Sequence, residues 1–268
     1  MNSSRIAAYS EMIARLPEPP WRREDLLIPE LLLETEPKHR LQLYYAPYDD
    51  VKPAAQVMIV GITPGFTQMS LSLQQAKLDL AAGVPLDRID RRAKLVASFA
   101  GSMRTHLLSM LDELGLPALL GIKDSSELFG ERSELLHTTS VIRYPLFRDG
   151  DNYTGHQPKM LASELIRRYA LVDFAEQLAA VPDAIVIPLG KSVSDVLRAI
   201  AEGADPVNSG GHRLDSAAVQ SSSSLLERCL LDFPHPSGAN GHRKKQFEAL
   251  KDEHRQKLER WFGARRLI

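Results

Sequence analysis

Two short stretches hold the residue types from which a site can be built. The first is Gly61-Ile62-Thr63-Pro64-Gly65-Phe66, directly after the apolar run Val57-Met58-Ile59-Val60. Its glycines let backbone come close to a ligand or take positive φ. Pro64 fixes the turn and has no N–H to satisfy. The same residues mark ordinary tight turns, so the stretch alone is equally a plain strand-to-helix connection. It has neither the glycine spacing of a dinucleotide fingerprint nor that of a phosphate-binding P-loop. The second stretch is His235-Pro236-Ser237-Gly238-Ala239-Asn240-Gly241-His242-Arg243. Its imidazole titrates near neutrality and can give or take a proton. The bland reading of His235 is a structural histidine at a strand end. Its place between two prolines beside a Gly-rich turn favours function.

Between these stretches stand an aromatic and a basic run. Phe99, in Ser98-Phe99-Ala100-Gly101, precedes a Leu-rich helix. It is either core, the commoner case, or a plate on which a planar ring stacks. Residues 87–97 carry Arg88, Arg91, Arg92 and Lys94. Such runs are mostly solvated helix faces, with a phosphate contact as the second reading.

The elements that must position these residues follow from hydrophobic pattern. The apolar run at 57–60, without alternation, predicts a strand buried on both faces. Further strands are expected at 136–142, 184–189 and 229–233, and helices at 71–82, 102–114, 159–170, 192–202 and 244–262. This alternation predicts an α/β fold: a three-layer αβα sandwich around a mainly parallel four-stranded sheet. In such a sheet the loops beyond the strands' carboxyl ends, here 61–66, 140–156 and 234–243, meet at one end. Asn152, Tyr153 and His156, in a polar loop whose Asp149-Gly150 is turn chemistry, are further ligand-facing candidates. Residues 205–224 read as loop. The whole chain is expected to form one domain, with a helical N-terminal extension at 1–54, a core over about 55–250 and a C-terminal helix over 251–268. Within the extension, 41–48 reads as an edge strand or extended arm. Its Tyr44, Tyr45 and Tyr48 pack on the core or, less commonly, stack on a base.

Composition bounds the rest. With 268 residues, 44% hydrophobic and 25% charged, the chain is ordinary and globular. A net charge of -1 gives no global attraction for nucleic acid, though a local patch still can. The single cysteine, Cys229, excludes an internal disulfide, an iron–sulfur cluster and a multi-cysteine zinc site. No apolar run reaches membrane-spanning length, and the N-terminus lacks a secretory core. A cytoplasmic protein that engages no membrane is the expectation.

Taken together and in order, these motifs resemble the uracil-DNA glycosylase superfamily. Gly61-Ile62-Thr63-Pro64-Gly65 is similar to its first motif, and His235-Pro236-Ser237-Gly238-Ala239-Asn240 to its second. Ser98-Phe99-Ala100-Gly101 looks like its aromatic segment, Thr139-Ser140-Val141-Ile142-Arg143 occupies the second-strand motif, and Ile187-Pro188-Leu189-Gly190-Lys191 looks like the third-strand exit. The likeness covers roughly residues 55–250. It implies excision of a deaminated or altered base from DNA, without metal or other cofactor. Phe99 would stack on the extruded base, and Gly61, Ile62, Gly65, Phe66 and Ser140 would line its pocket. His235 would donate a hydrogen bond to the leaving base, and Thr63 would hold water. Ser237, Gly238, Ala239, Asn240 and Arg243 would grip DNA phosphates, with His242, Lys244 and Lys245 adding attraction. The chain departs from the family in three places. Ile62-Thr63 stands where members carry Asp, Asn or Glu, Ser140 where many read uracil with Asn, and Ala239 where a leucine wedge is usual. A methyl fills little of the gap left by a flipped base, so single-stranded DNA is the better expected partner.

Overall fold

The computed structural model describes residues 4–204 and 222–265. At its centre is β3 (Val57–Gly61), every residue of which is buried. Val57 and Ile59 enter one hydrophobic cluster, Met58 and Val60 another. That double burial is why the run shows no apolar–polar alternation. β4 (Leu136–Ser140) and β7 (Ile185–Pro188) pair with it in parallel on either side, giving the order β4-β3-β7. Ile185 and Ile187 face the cluster of Ile59, and Val186 faces that of Met58.

The expected fourth parallel strand does not form. At 229–233 only a single bridge, Val186 to Cys229, is made. Val186 donates to the Arg228 carbonyl at 2.7 Å and Leu230 donates to the Val186 carbonyl at 2.8 Å. The chain then turns at Asp232, whose φ is 59°, and reaches Pro234. A left-handed residue and a missing N–H stop the ladder after one rung. One more bond, Gly190 N–H to the Phe233 carbonyl at 2.8 Å, still holds the segment against the end of β7. The parallel sheet is therefore three-stranded.

A second sheet, antiparallel and unforeseen, has the order β1-β2-β5-β6. It joins β1 (Leu32–Glu36) and β2 (Leu41–Tyr44) from the N-terminal segment to β5 (Leu146–Arg148) and β6 (Asp151–Asn152). The last two form a hairpin whose two-residue turn, Asp149-Gly150, has φ of 52° and 79°. Positive φ at both positions suits the twist of a tight hairpin. The segment 1–54 is thus not purely helical. Besides α1 (Ile6–Arg15) and α2 (Arg23–Leu26) it supplies two strands. Tyr44, Tyr45 and Tyr48 are buried in the core, and Tyr9 stacks on Tyr45 at 3.8 Å.

Helices cover both faces of the parallel sheet. α3 (Phe66–Ala81) and α4 (Leu86–Ala97) pack on each other. α5 (Ser102–Glu113) and α6 (Leu116–Leu120) follow. The helix expected at 159–170 begins later and runs further. It is α7 (Glu164–Arg168), a π turn at Tyr169–Asp173, then α8 (Phe174–Ala180). Ser163 sets its start by accepting the Ile166 N–H at 3.1 Å. α9 (Lys191–Ala201), α10 (Ser222–Glu227) and α11 (Arg243–Arg265) complete the described chain. Most of the loop expected at 205–224 lies outside the described residues.

Candidate functional site

The segments leaving β3, β4 and β7 converge on a cavity of about 880 Å³. Gly61, Ile62, Thr63 and Gly65 form one wall, Ser140 and Phe99 a second, and His235, Ser237, Ala239 and Asn240 a third. Phe66, Gly238 and Arg243 do not line it. The Phe66 ring lies 5.3 Å from the Arg23 guanidinium instead, and its N–H donates to Asn152 Oδ1 at 2.9 Å.

Phe99 is held where its ring can meet a planar ligand. It is half-buried and has φ of 53°. That conformation is uncommon for a bulky residue and costs on the order of 1 kcal/mol or more. Its ring lies so close to Gly61 that a Cβ on residue 61 would stand 3.3 Å from Cε1 and 3.2 Å from Ser140 Oγ. The absent side chain at Gly61 is therefore what lets the ring and the Ser140 hydroxyl close on one another.

The loop after Phe233 is built around His235. His235 Nδ1 accepts the Ser237 N–H at 3.2 Å. With Nδ1 an acceptor, the proton of a neutral ring sits on Nε2. Burial lowers the pKa of His235, which keeps the ring neutral. Asn240 Nδ2 donates to the His235 carbonyl at 3.2 Å and to Gln246 Oε1 at 3.0 Å. Arg243 Nη1 donates to the Ser237 carbonyl at 3.0 Å. His106 Nδ1 lies 2.9 Å from the Pro236 carbonyl. These contacts tie the Asn240 amide and Arg243 Nη1 into the fold of the loop. Ser237 Oγ accepts the Ala239 N–H at 3.2 Å, so that amide is engaged within the loop.

Thr63, which also lines the cavity, is tied down as well. Its hydroxyl donates to the Tyr144 carbonyl at 2.8 Å and accepts the Leu146 N–H at 3.0 Å. It ties the first turn to the start of β5, and its single proton is spent. The neighbouring amides are similarly committed: Gln68 Oε1 accepts the Gly65 N–H at 3.2 Å, and Asn152 Oδ1 accepts that of Phe66. Asp232 is the sole carboxylate lining the cavity among the described residues, and Arg198 grips it at 2.5 and 3.3 Å. Among the described residues the wall therefore offers no free carboxylate.

The basic run divides. Arg91 pairs with Asp50 at 3.5 Å and Arg92 with Asp79 at 2.9 Å, both as surface charges. Lys94 instead lies 5% exposed on the cavity wall, with Arg143 nearby on the same wall. Burial, opposed by Asp50, lowers the Lys94 ammonium to a pKa of about 7. The sequence carries a signal for this: Ile89, Ala93 and Ala97 make the inward stripe of α4, and Asp90 and Lys94 fall on it.

No family model matches the chain, and no solved structure matches it. Over 255 residues it is 37% identical to the "Uncharacterized protein YoxB" of Bacillus subtilis (strain 168), covering 94% of this chain and 91% of that protein. The chain belongs to the family of that protein.

Proposed function

We propose that this member of the YoxB family is a uracil-DNA glycosylase-like hydrolase, cleaving the N-glycosidic bond of a deaminated or altered base in DNA during base excision repair. On this reading the three parallel strands and their flanking helices are a reduced form of the superfamily's αβα sandwich. The carrying observation is the placement of His235: its Nδ1 accepts the Ser237 N–H, which leaves Nε2 as the ring's donor atom, and the ring shares one cavity with the half-buried phenyl ring of Phe99.

The chemistry follows from that arrangement. A base taken out of the stack lies against Phe99. As its bond to C1′ breaks, the electron pair moves onto the base, and the Nε2–H of His235 hydrogen-bonds the carbonyl oxygen where negative charge collects. That help is greatest in the transition state. Water then adds to C1′, and the proton it sheds ends on the departed base. Because the cavity holds no free carboxylate among the described residues, rate rests on leaving-group stabilisation rather than water activation. Ser237 retains a hydroxyl proton for a phosphate oxygen, and Lys244 and Lys245 at the start of α11 add charge.

The test uses single- and double-stranded oligonucleotides carrying uracil, hypoxanthine or xanthine, followed by alkali. Scission on at least one is expected, with a loss of ~10²–10³-fold in His235→Ala. No scission on any of them at enzyme excess would remove the proposal. The ion-paired Asp232 and the committed Thr63 favour a second reading, a weak or inactive module that binds nucleic acid or a nucleobase on the same fold. Tight, salt-dependent binding without turnover is its signature. No helix among the described residues is long and apolar enough to cross a membrane.

A further inference from the structure

We propose that Lys94 sets which base the cavity accepts: one carrying negative charge, through ring ionisation or a carboxylate substituent, on the edge turned away from the sugar. This rests on the base-binding reading of the cavity given above.

Lys94 is nearly inaccessible, and it lines both the cavity and a small neighbouring space walled by Asp50, Lys52 and His137. Its Nζ donates to the Asp50 carbonyl at 2.5 Å. No carboxylate among the described residues comes within 4 Å of it, and that of Asp50 is turned to Arg91. The other charged and titratable groups around it are engaged at one atom at least or cationic, except His137, which burial and the neighbouring cations keep neutral. Asp90 is bonded by the Ser4 hydroxyl. Asp49 and Asp173 hold Arg143 at 3.5 and 3.0 Å. Lys52 and His137 complete the surroundings. A buried cation without a partner is costly, and two of the three ammonium protons of Lys94 have no acceptor among the described residues.

Its position is continuous with the base wall. Ser98 Oγ donates to the Lys94 carbonyl at 2.6 Å and bonds Thr138 Oγ1 at 2.7 Å. Thr138 and Ser140 lie on the same face of β4, and Ser140 abuts Gly61 and Phe99. A ring stacked on Phe99 thus has one hydroxyl, that of Ser140, beside it, and Lys94 further along this wall. Ser140 lacks the paired donor and acceptor that would read a neutral uracil edge. The amine's pKa of about 7 leaves it able to take up a proton as an anion enters.

The test compares two matched pairs of free bases by calorimetry, 5-carboxyuracil against uracil and xanthine against hypoxanthine. For the wild-type protein the anionic member is expected to bind at least ~10-fold tighter, the increment of one charge-assisted hydrogen bond. Proton uptake should accompany it, seen by repeating the titration in buffers of different ionisation enthalpy. Lys94→Met should lose both the preference and the uptake while still binding the neutral members. Lys94→Gln serves if the methionine variant does not fold. Equal affinities in the wild-type protein, a preference that survives in the variant, or no binding of any of the four would overturn the inference. The outcomes separate from those of the glycosylase reading. Uracil excision without any anionic preference ends only the inference. Lys94-dependent binding of the anionic bases with no excision supports the inference and removes the glycosylase.

Discussion

Gly61→Ala separates the shape of the cavity from the stability of the fold. The new methyl would stand 3.2 Å from Ser140 Oγ, 3.3 Å from Phe99 Cε1 and 3.8 Å from the Thr139 carbonyl. Comfortable contact begins at about 3.5 Å, so the first two neighbours must give by a few tenths of an ångström. Both can: the serine hydroxyl can rotate, and the half-buried phenyl ring can tilt toward the cavity. Gly61 ends β3 and does not have positive φ, so alanine brings no backbone strain. The overpacking cost falls at the low end of the usual range, ~1 kcal/mol. Reduced freedom of the unfolded chain offsets it by about 0.4–1 kcal/mol. Stability should therefore stay within ~1 kcal/mol of wild type. The base slot, however, loses the depth of a methyl, and a misplacement approaching 1 Å costs up to ~10²-fold in rate. The assays are urea unfolding and single-turnover base release at enzyme excess. Unchanged base release in a normally folded variant would refute the claim that Phe99, Ser140 and Gly61 together shape the slot. A loss of activity no greater than the loss of folded protein would refute it equally.

Thr63→Val should cost about 1–3 kcal/mol, because it strips the partner from the Tyr144 carbonyl and the Leu146 N–H. Base release per folded molecule should stay within a few-fold, which steady-state kinetics and urea unfolding distinguish from a water-holding role. Asn240→Ala should slow base release ~10-fold without raising KM for the oligonucleotide, since it frees the His235 carbonyl rather than a phosphate. The buried His137 and His254 and the half-buried His235 all have lowered pKa values, chiefly through desolvation. Below the unfolded value near 6.5 the unfolded chain binds protons that the native state refuses, so stability should fall as pH drops from about 7 toward 5, and urea midpoints across that window check it. Lys94 acts in the same direction at higher pH. Its native pKa of about 7 against the usual 10.5 means stability rises with pH between those values, and Lys94→Met should flatten that rise.

The strand β3 was legible in sequence because a short apolar run without alternation, stopped by a Gly-Pro turn, fits a strand buried on both faces. So was the placing of Gly61, Ser140, Phe99 and His235 around one space, since loops following parallel strands share an end of the sheet. The missing fourth strand was not legible. Cys229–Phe233 is largely apolar, and the left-handed turn at Asp232 followed by Pro234 stops its pairing. The antiparallel sheet was hidden because β5 and β6 have three and two residues, too short for a period to show. That the Asn240 amide and Arg243 Nη1 bond back onto the loop was not legible, because sequence gives residue type and not direction. Lys94 looked like one more surface charge in a basic run. Its phase with Ile89, Ala93 and Ala97 was the clue.

The protonation state of His235 is the most direct test of the glycosylase proposal. Long-range proton–nitrogen NMR of the imidazole at about pH 7, before and after addition of a free base, reads both ring nitrogens. The expected result is a neutral ring with the proton on Nε2, Nδ1 unprotonated and accepting from Ser237, and an Nε2–H signal that moves downfield when base binds. An imidazolium, a proton on Nδ1, or an Nε2–H signal indifferent to every base would contradict it.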